Sequence, residues 1–166
     1  MTVTLIAAHS ENGVLASGGR LPWHLPDEVQ HFRSYCAGKW ILAGRRTWVQ
    51  MDGWFKPGQT PVVVTRDATL HVPGGYAVSS VAEGLSLARR HGAEECVVIG
   101  GGEVFAAALP YADGLILTVV HAILPGDVFF PTLPPDTWRE LKHHHHPADA
   151  GHAYAFTIRW LVRVHS

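Results

Sequence analysis

Six short apolar runs rich in β-branched residues recur through the chain: VTLIAA (3–8), WILA (40–43), PVVVT (61–65), YAV (76–78), CVVIG (96–100) and LILTVV (115–120). Helix-like stretches fall between many of them. Residues 26–37 place Val29, Phe32 and Cys36 on one face at helical spacing, and Gly38 can end that helix. SVAEGLSLARRHG (80–92) opens on Ser80 with Glu83 three residues on, a capping box, and stops before Gly92. EVFAAALP (103–110) reads as a short helix halted by Pro110. Strands alternating with helices predict an α/β fold, a largely parallel sheet with helices on both faces. HAYAFTIRWLVRV (152–164) alternates instead, with Tyr154, Phe156, Ile158, Trp160, Val162 and Val164 on one face. That pattern predicts a long half-buried strand, an antiparallel edge of the same sheet.

A length of 166 residues fits one domain over 1–166, and 47% hydrophobic with 16% charged residues describes a folded chain. The formal net charge of -1 gives no reason to expect a nucleic-acid or anionic-membrane partner. Cys36 and Cys96 sit in apolar segments and read as buried thiols of a reducing, cytoplasmic compartment. MTVTLIAAHSENG has no basic n-region and a short apolar run, so it reads as a first strand. No apolar stretch is long enough for a membrane helix. HHHH (143–146) precedes PADAGHAY and is expected to be an exposed turn between the last two strands, with no metal role.

Three features carry candidate chemistry. GRRTW (44–48) follows WILA, and a glycine, two arginines and a capping threonine there suit a phosphate. A basic surface turn is the bland alternative. VVIGGGEVF (97–105) puts three glycines between a strand and a helix, which lets backbone approach a diphosphate, or simply makes a tight turn. In LPWHLPDEVQHF (21–32), Glu28 and Phe32 share a helix face while Asp27 points about 100° away. A carboxylate and a ring on one face form a clamp for a flat, nitrogen-rich heterocycle; a first-turn acid serving the helix dipole is the alternative.

In this order, and with VVVTR, LTVVH, GDVFFP and the closing aromatic strand, these segments resemble the dihydrofolate reductase family over essentially the whole chain. The resemblance implies a mainly parallel eight-stranded sheet, NADPH as cofactor and a small-molecule dihydropterin substrate, in a monomer. It implies that Glu28 is the pocket carboxylate, Trp23 a water-binding neighbour, Leu21 part of a loop over the nicotinamide, and Thr118 a hydroxyl bonded to Glu28. Ile6, Ala8, Val29, Phe32, Met51, Phe55, Gln59 and Ile99 would line the substrate site. Ala7, Leu15, Gly44, Arg45, Arg46, Thr47, Thr65, Arg66, Gly100, Gly101, Gly102, Glu103, Val104 and Phe105 would hold the cofactor. The arginines favour NADPH over NADH, since a 2′-phosphate needs forked donors.

One position departs from the family pattern. In FKPGQTP, Gln59 stands where the family has an arginine that grips the substrate's tail carboxylate. A neutral amide cannot supply that charge-assisted pair, although Lys56 and Arg33 are near in sequence. The expectation narrowly favours dihydromethanopterin, whose aryl group carries no carboxylate, over dihydrofolate. Two more distant readings are a pyrimidine reductase of riboflavin synthesis, disfavoured by LPWHLPDE, and a non-catalytic pterin or nucleotide binder, disfavoured by the intact Glu28 and Gly100–Gly102.

Overall fold

The chain begins at the centre of its own sheet. In a computed structural model that describes residues 1–164, strand β1 (Thr2–Ser10) lies between β6 (Glu95–Gly100) and β7 (Gly114–Val120), parallel to both. Strands β3 (Trp40–Gly44), β4 (Thr60–Val64) and β5 (Tyr76–Val78) continue the parallel array beyond β6. Beyond β7 come β10 (Phe156–Arg163), antiparallel to β7, and β9 (Trp138–His146), antiparallel to β10, giving the order β5-β4-β3-β6-β1-β7-β10-β9. A separate two-stranded ribbon joins β2 (Val14–Ala16) to β8 (Val128–Phe129).

Both sheet faces are covered, which is why the central strands are apolar without alternation. Neighbours along each strand point to opposite layers. Ile6, Ile41, Val97 and Ile116 face helix α1 (Pro26–Cys36), with Cys36 fully buried and Phe32 and Tyr35 packed alongside. Helix α2 (Arg45–Gln50) leans on this layer through Trp48. Leu5, Leu42, Val98 and Leu115 face the other way, against Leu85 and Ala88 of α3 (Val81–Arg90) and Phe105 and Ala108 of α4 (Gly102–Ala108). Cys36 and Cys96 are both buried free thiols. Among the described residues no helix is long and apolar enough to cross a membrane.

Helix α3 is capped as its sequence suggests: Glu83 N–H donates to Ser80 Oγ at 3.0 Å. The Glu83 carboxylate reaches back to the N–H of Ser79, one residue earlier than the usual box, at 2.7 Å. Two expectations need correction. The antiparallel C-terminal strand is present, but it begins at Phe156 and is flanked by β9, so β9 takes the outer edge. His143 to His146 are therefore not a turn; they are the last four residues of that edge strand, paired with Arg159 to Phe156. Strand β9 is exposed along nearly its whole length, so its polar sequence fits a sheet edge as well as a loop.

Candidate active site

Helices α1 and α2 follow β1 and β3 onto one face, whereas α4 follows β6 onto the other. Crossovers that leave adjacent parallel strands for opposite faces open a crevice at the strands' carboxyl ends. A cleft of about 1250 Å³ occupies that position, bounded by α1, by the turns after β3 and β6, and by the β2–β8 ribbon.

Glu28 lines the α1 end. Pro26 fixes the first helical turn, and the 3.6-residue period then turns Glu28 inward and Asp27 outward. Glu28 is 7% exposed, and it is the only Asp or Glu among the buried polar residues described. Among the described residues no side chain hydrogen-bonds its carboxylate, and burial pushes it up to about 7. Ile6, Ala8, Val29, Phe32, Met51 and Ile99, expected at the substrate site, line the same cleft. Leu21 stands at the mouth, 56% exposed.

The other end is built from two glycine turns pressed together. A Cβ on Gly44 would sit 3.1 Å from Val104 Cγ2, and one on Gly102 would sit 3.0 Å from Val128 Cγ1 and 3.2 Å from Phe129 O. Backbones at these spots approach because side chains are missing. Gly44 and Gly101 are the N-caps of α2 and α4, and neither helix has a side-chain cap. The first-turn N–H groups beside the cleft are thus left for a ligand. The sequence-based role of Thr47 as a cap is not met, since it lies inside α2 and faces Gly101 across the cleft. Arg45, Arg46 and Arg66 line this end, with Thr65 buried beneath them. Arg45 makes one long contact to Asp67, at 3.4 Å. Ala7, Leu15, Glu103, Val104 and Phe105, also expected to hold a cofactor, line the same cleft.

Five expected residues do not line this cleft. Thr118 is buried on β7 beside Ala8 of β1, and no direct hydrogen bond joins it to Glu28 among the described residues. Trp23 is 8% exposed with a buried Nε1–H that has no partner. Gly100 ends β6 behind Gly101, against Phe105. Phe55 packs edge-on to Trp54, their ring centres 4.9 Å apart. Gln59 lines a second cavity of about 330 Å³ with Gln30, Arg33, Ser34, Trp54 and Lys56. Arg33 and Trp54 border both spaces. The Gln59 amide is occupied internally: its Oε1 accepts from Lys56 N–H at 2.8 Å and its Nε2 donates to Cys36 O at 2.9 Å. Cleft residues that sequence reasoning missed include Arg20, Gln50, Ser79 and Asp127. Gln50 ends α2 and the other three lie on separate connecting segments, with no motif to link them.

Residues 2–163 match the family model described as dihydrofolate reductase. Dihydrofolate reductase type 3 of Salmonella typhimurium is 39% identical over 163 residues, covering 98% of this chain and 99% of that one. The dihydrofolate reductase of Mycobacterium tuberculosis is 40% identical over 142 residues, covering 82% and 84% respectively. Among solved structures, dihydrofolate reductase from Enterococcus faecalis, complexed with NADP(H) and RAB-propyl, superposes with a TM-score of 0.89. It is 29% identical and covers 99% of this chain and 97% of that one.

Proposed function

The chain belongs to the dihydrofolate reductase family, and from that premise we propose that it reduces 7,8-dihydrofolate to 5,6,7,8-tetrahydrofolate, with hydride added at C6 and a proton at N5. It is an NADPH-dependent oxidoreductase acting on the C=N bond of a dihydropterin. The observation that carries the reading is Glu28, the one buried Asp or Glu among the described residues, placed in the same cleft as the glycine turns and the arginines.

The cleft fits NADPH on two counts. Uncapped N-termini of α2 and α4 offer backbone N–H groups to a diphosphate, and Arg45, Arg46 and Arg66 offer forked donors to a 2′-phosphate. When bound, NADPH supplies the hydride. Glu28 has two acceptor oxygens and matches the paired donors of a pterin, N3–H and the 2-amino group. Those bonds favour its ionised form against the burial that raises it. Its charge then stabilises the cationic ring that forms when N5 is protonated, at a distance rather than by direct delivery. Phe32 packs on the ring, and Trp23 Nε1–H is a free donor for a water near the carboxylate. Leu21 at the mouth governs access of the solvent proton.

Gln59 led to the expectation of dihydromethanopterin, and that preference is not supported. The relatives matched over most of the chain are named dihydrofolate reductases. The Gln59 amide braces its own turn, while Arg33 and Lys56 border the adjoining cavity and offer cations to a tail carboxylate. The deciding experiment follows NADPH absorbance with purified protein and either dihydrofolate or dihydromethanopterin. Faster turnover with dihydrofolate is expected. Exclusive turnover of dihydromethanopterin would restore the first expectation, and no oxidation of NADPH with either would favour a binder.

A further inference from the structure

On the far side of Glu28 from the cleft, Asp27 meets two histidines from the other end of the chain. His146 closes β9, and His152 sits in the turn that leads back to β10. His146 Nε2 lies 2.8 Å from Asp27 Oδ2, and His152 Nε2 lies 3.8 Å from the same oxygen. Both rings are held: His146 stacks on Phe156 at 4.6 Å with 9° between planes, and the two imidazoles are 4.5 Å apart. His152 is 6% exposed, a burial unusual for a surface-loop histidine.

The hydrogen bonds determine where the ring protons sit. His146 Nδ1 faces Pro147 O at 2.8 Å, and His152 Nδ1 faces Asp149 Oδ1 at 2.8 Å. A carbonyl and a carboxylate only accept, so each Nδ1 carries a hydrogen; His152 Nε2 then accepts from Asp27 N–H, whereas His146 Nε2, 2.8 Å from Asp27 Oδ2, donates a second ring proton to that carboxylate in the metal-free protein. Two Nε2 atoms and a carboxylate oxygen therefore converge, all within 4.8 Å of one another. The proton between His146 and Asp27 occupies the place a metal ion would take, and metal binding releases such a proton. An Nδ1–H donated to a carboxylate or carbonyl is also the arrangement that orients metal-binding imidazoles.

We propose that Asp27, His146 and His152 form a binding site for a divalent transition-metal ion of the zinc class, with Asp149 orienting His152 from behind. Two imidazoles and one carboxylate are a zinc-type donor set, leaving a fourth position for water. Tetrahedral ligands at zinc distances sit about 3.3 Å apart, so the three atoms need only small adjustments. Binding has a local cost. The Asp27 N–H now donates to His152 Nε2 at 3.1 Å and would lose that bond. The positive end of α1 also disfavours a cation, offset by the Asp27 charge. The ion would tie the start of α1 to the β9–β10 connection.

The test is calorimetric titration of the untagged full chain with zinc chloride at pH 8, where free imidazole is neutral, alongside thermal melting with and without zinc. One ion per chain is expected, with the melting temperature raised by about 5–10 °C at a hundredfold excess over Kd. Asp149→Asn should weaken binding about 10–100-fold, the usual effect of losing an orienting partner, and His146→Ala or Asp27→Asn by more. The double variant His143→Ala/His145→Ala, on the opposite face of β9, should bind as wild type. Melting each variant without zinc separates lost binding from lost folding. Binding that survives His146→Ala but not the double variant would mean an adventitious ion on the histidine run. No binding at pH 8 would mean a plain His–Asp pair; either result overturns the proposal.

Discussion

The two ends of the cleft treat charge in opposite ways. At the α1 end a single carboxylate, Glu28, is withdrawn from water without a hydrogen-bonding side chain among the described residues. At the α2 end three arginines stand exposed, and the one ion pair among them is long. A lone buried charge has a large energy that swings with whatever binds it. Exposed charges each contribute little, add roughly, and are screened by salt. Under the proposed function, ring recognition rests on one strong interaction and cofactor recognition on several weak ones.

The largest expected effect comes from removing the lone charge. Glu28→Gln keeps the shape and one acceptor but loses the negative field on the protonated ring. A fall in kcat/KM of about 10²–10³-fold is expected, the scale of losing one well-placed electrostatic contact. NADPH affinity, measured by fluorescence titration, should be unchanged. If both quantities fell together, the two ends would not be separate devices.

The same burial predicts a pH effect on stability without a pterin bound. The carboxyl rises from 4.5 to about 7 on folding. A raised acid binds its proton more tightly when folded, so its favourable share is fully present below pH 4.5 and is lost as pH rises towards 7. The shift corresponds to about 3 kcal/mol. Urea unfolding at pH 5 and pH 8 should show wild type losing most of that amount relative to Glu28→Gln, with the variant the more stable at pH 8. Parallel curves for the two proteins would show that Glu28 is solvated.

That device was legible in sequence because helix geometry alone separates residues 27 and 28. The parallel core was legible for a similar reason: strands buried on both faces must be apolar throughout, as Ile41–Leu42 and Val97–Val98 are. Strand β9 was not. WRELKHHHH has no apolar alternation, because almost every side chain meets water and its place in the sheet comes from pairing with β10 alone. The β2–β8 ribbon was hidden by shortness. Within the site, the bracing of Gln59 by Cys36 O and Lys56 N–H depends on the close approach of two segments, which no local pattern encodes. The same holds for Asp27 and His146, which are 119 residues apart in sequence.

At the basic end, Arg45→Ala and Arg66→Ala should each raise KM for NADPH by about tenfold, the value of one charge-assisted hydrogen bond. KM for NADH should barely move, so the preference between the two narrows. Added salt sharpens the comparison. At about 1 M the screening length is about 3 Å, and the wild-type advantage for NADPH should shrink while the defect of Glu28→Gln persists. An advantage immune to salt would place the 2′-phosphate away from these arginines.

The smallest effects belong to the substrate tail, beyond the α1 end, where Lys56 and Arg33 border the adjoining cavity. Both are exposed, so each contributes at most about 1 kcal/mol to holding a carboxylate, up to about fivefold in affinity. Lys56→Ala and Arg33→Ala should raise KM for dihydrofolate within that range and leave kcat alone, because the tail is remote from the reacting bond. Gln59→Arg works against itself. It adds a forked donor and can still donate to Cys36 O, but it removes the oxygen that accepts from Lys56 N–H and so loosens the turn carrying Lys56. KM for dihydrofolate in Gln59→Arg should therefore stay within about threefold of wild type, less than one charge-assisted bond provides. A tenfold improvement would show that the turn needs no brace and that the tail end, like Glu28, relies on a single strong contact.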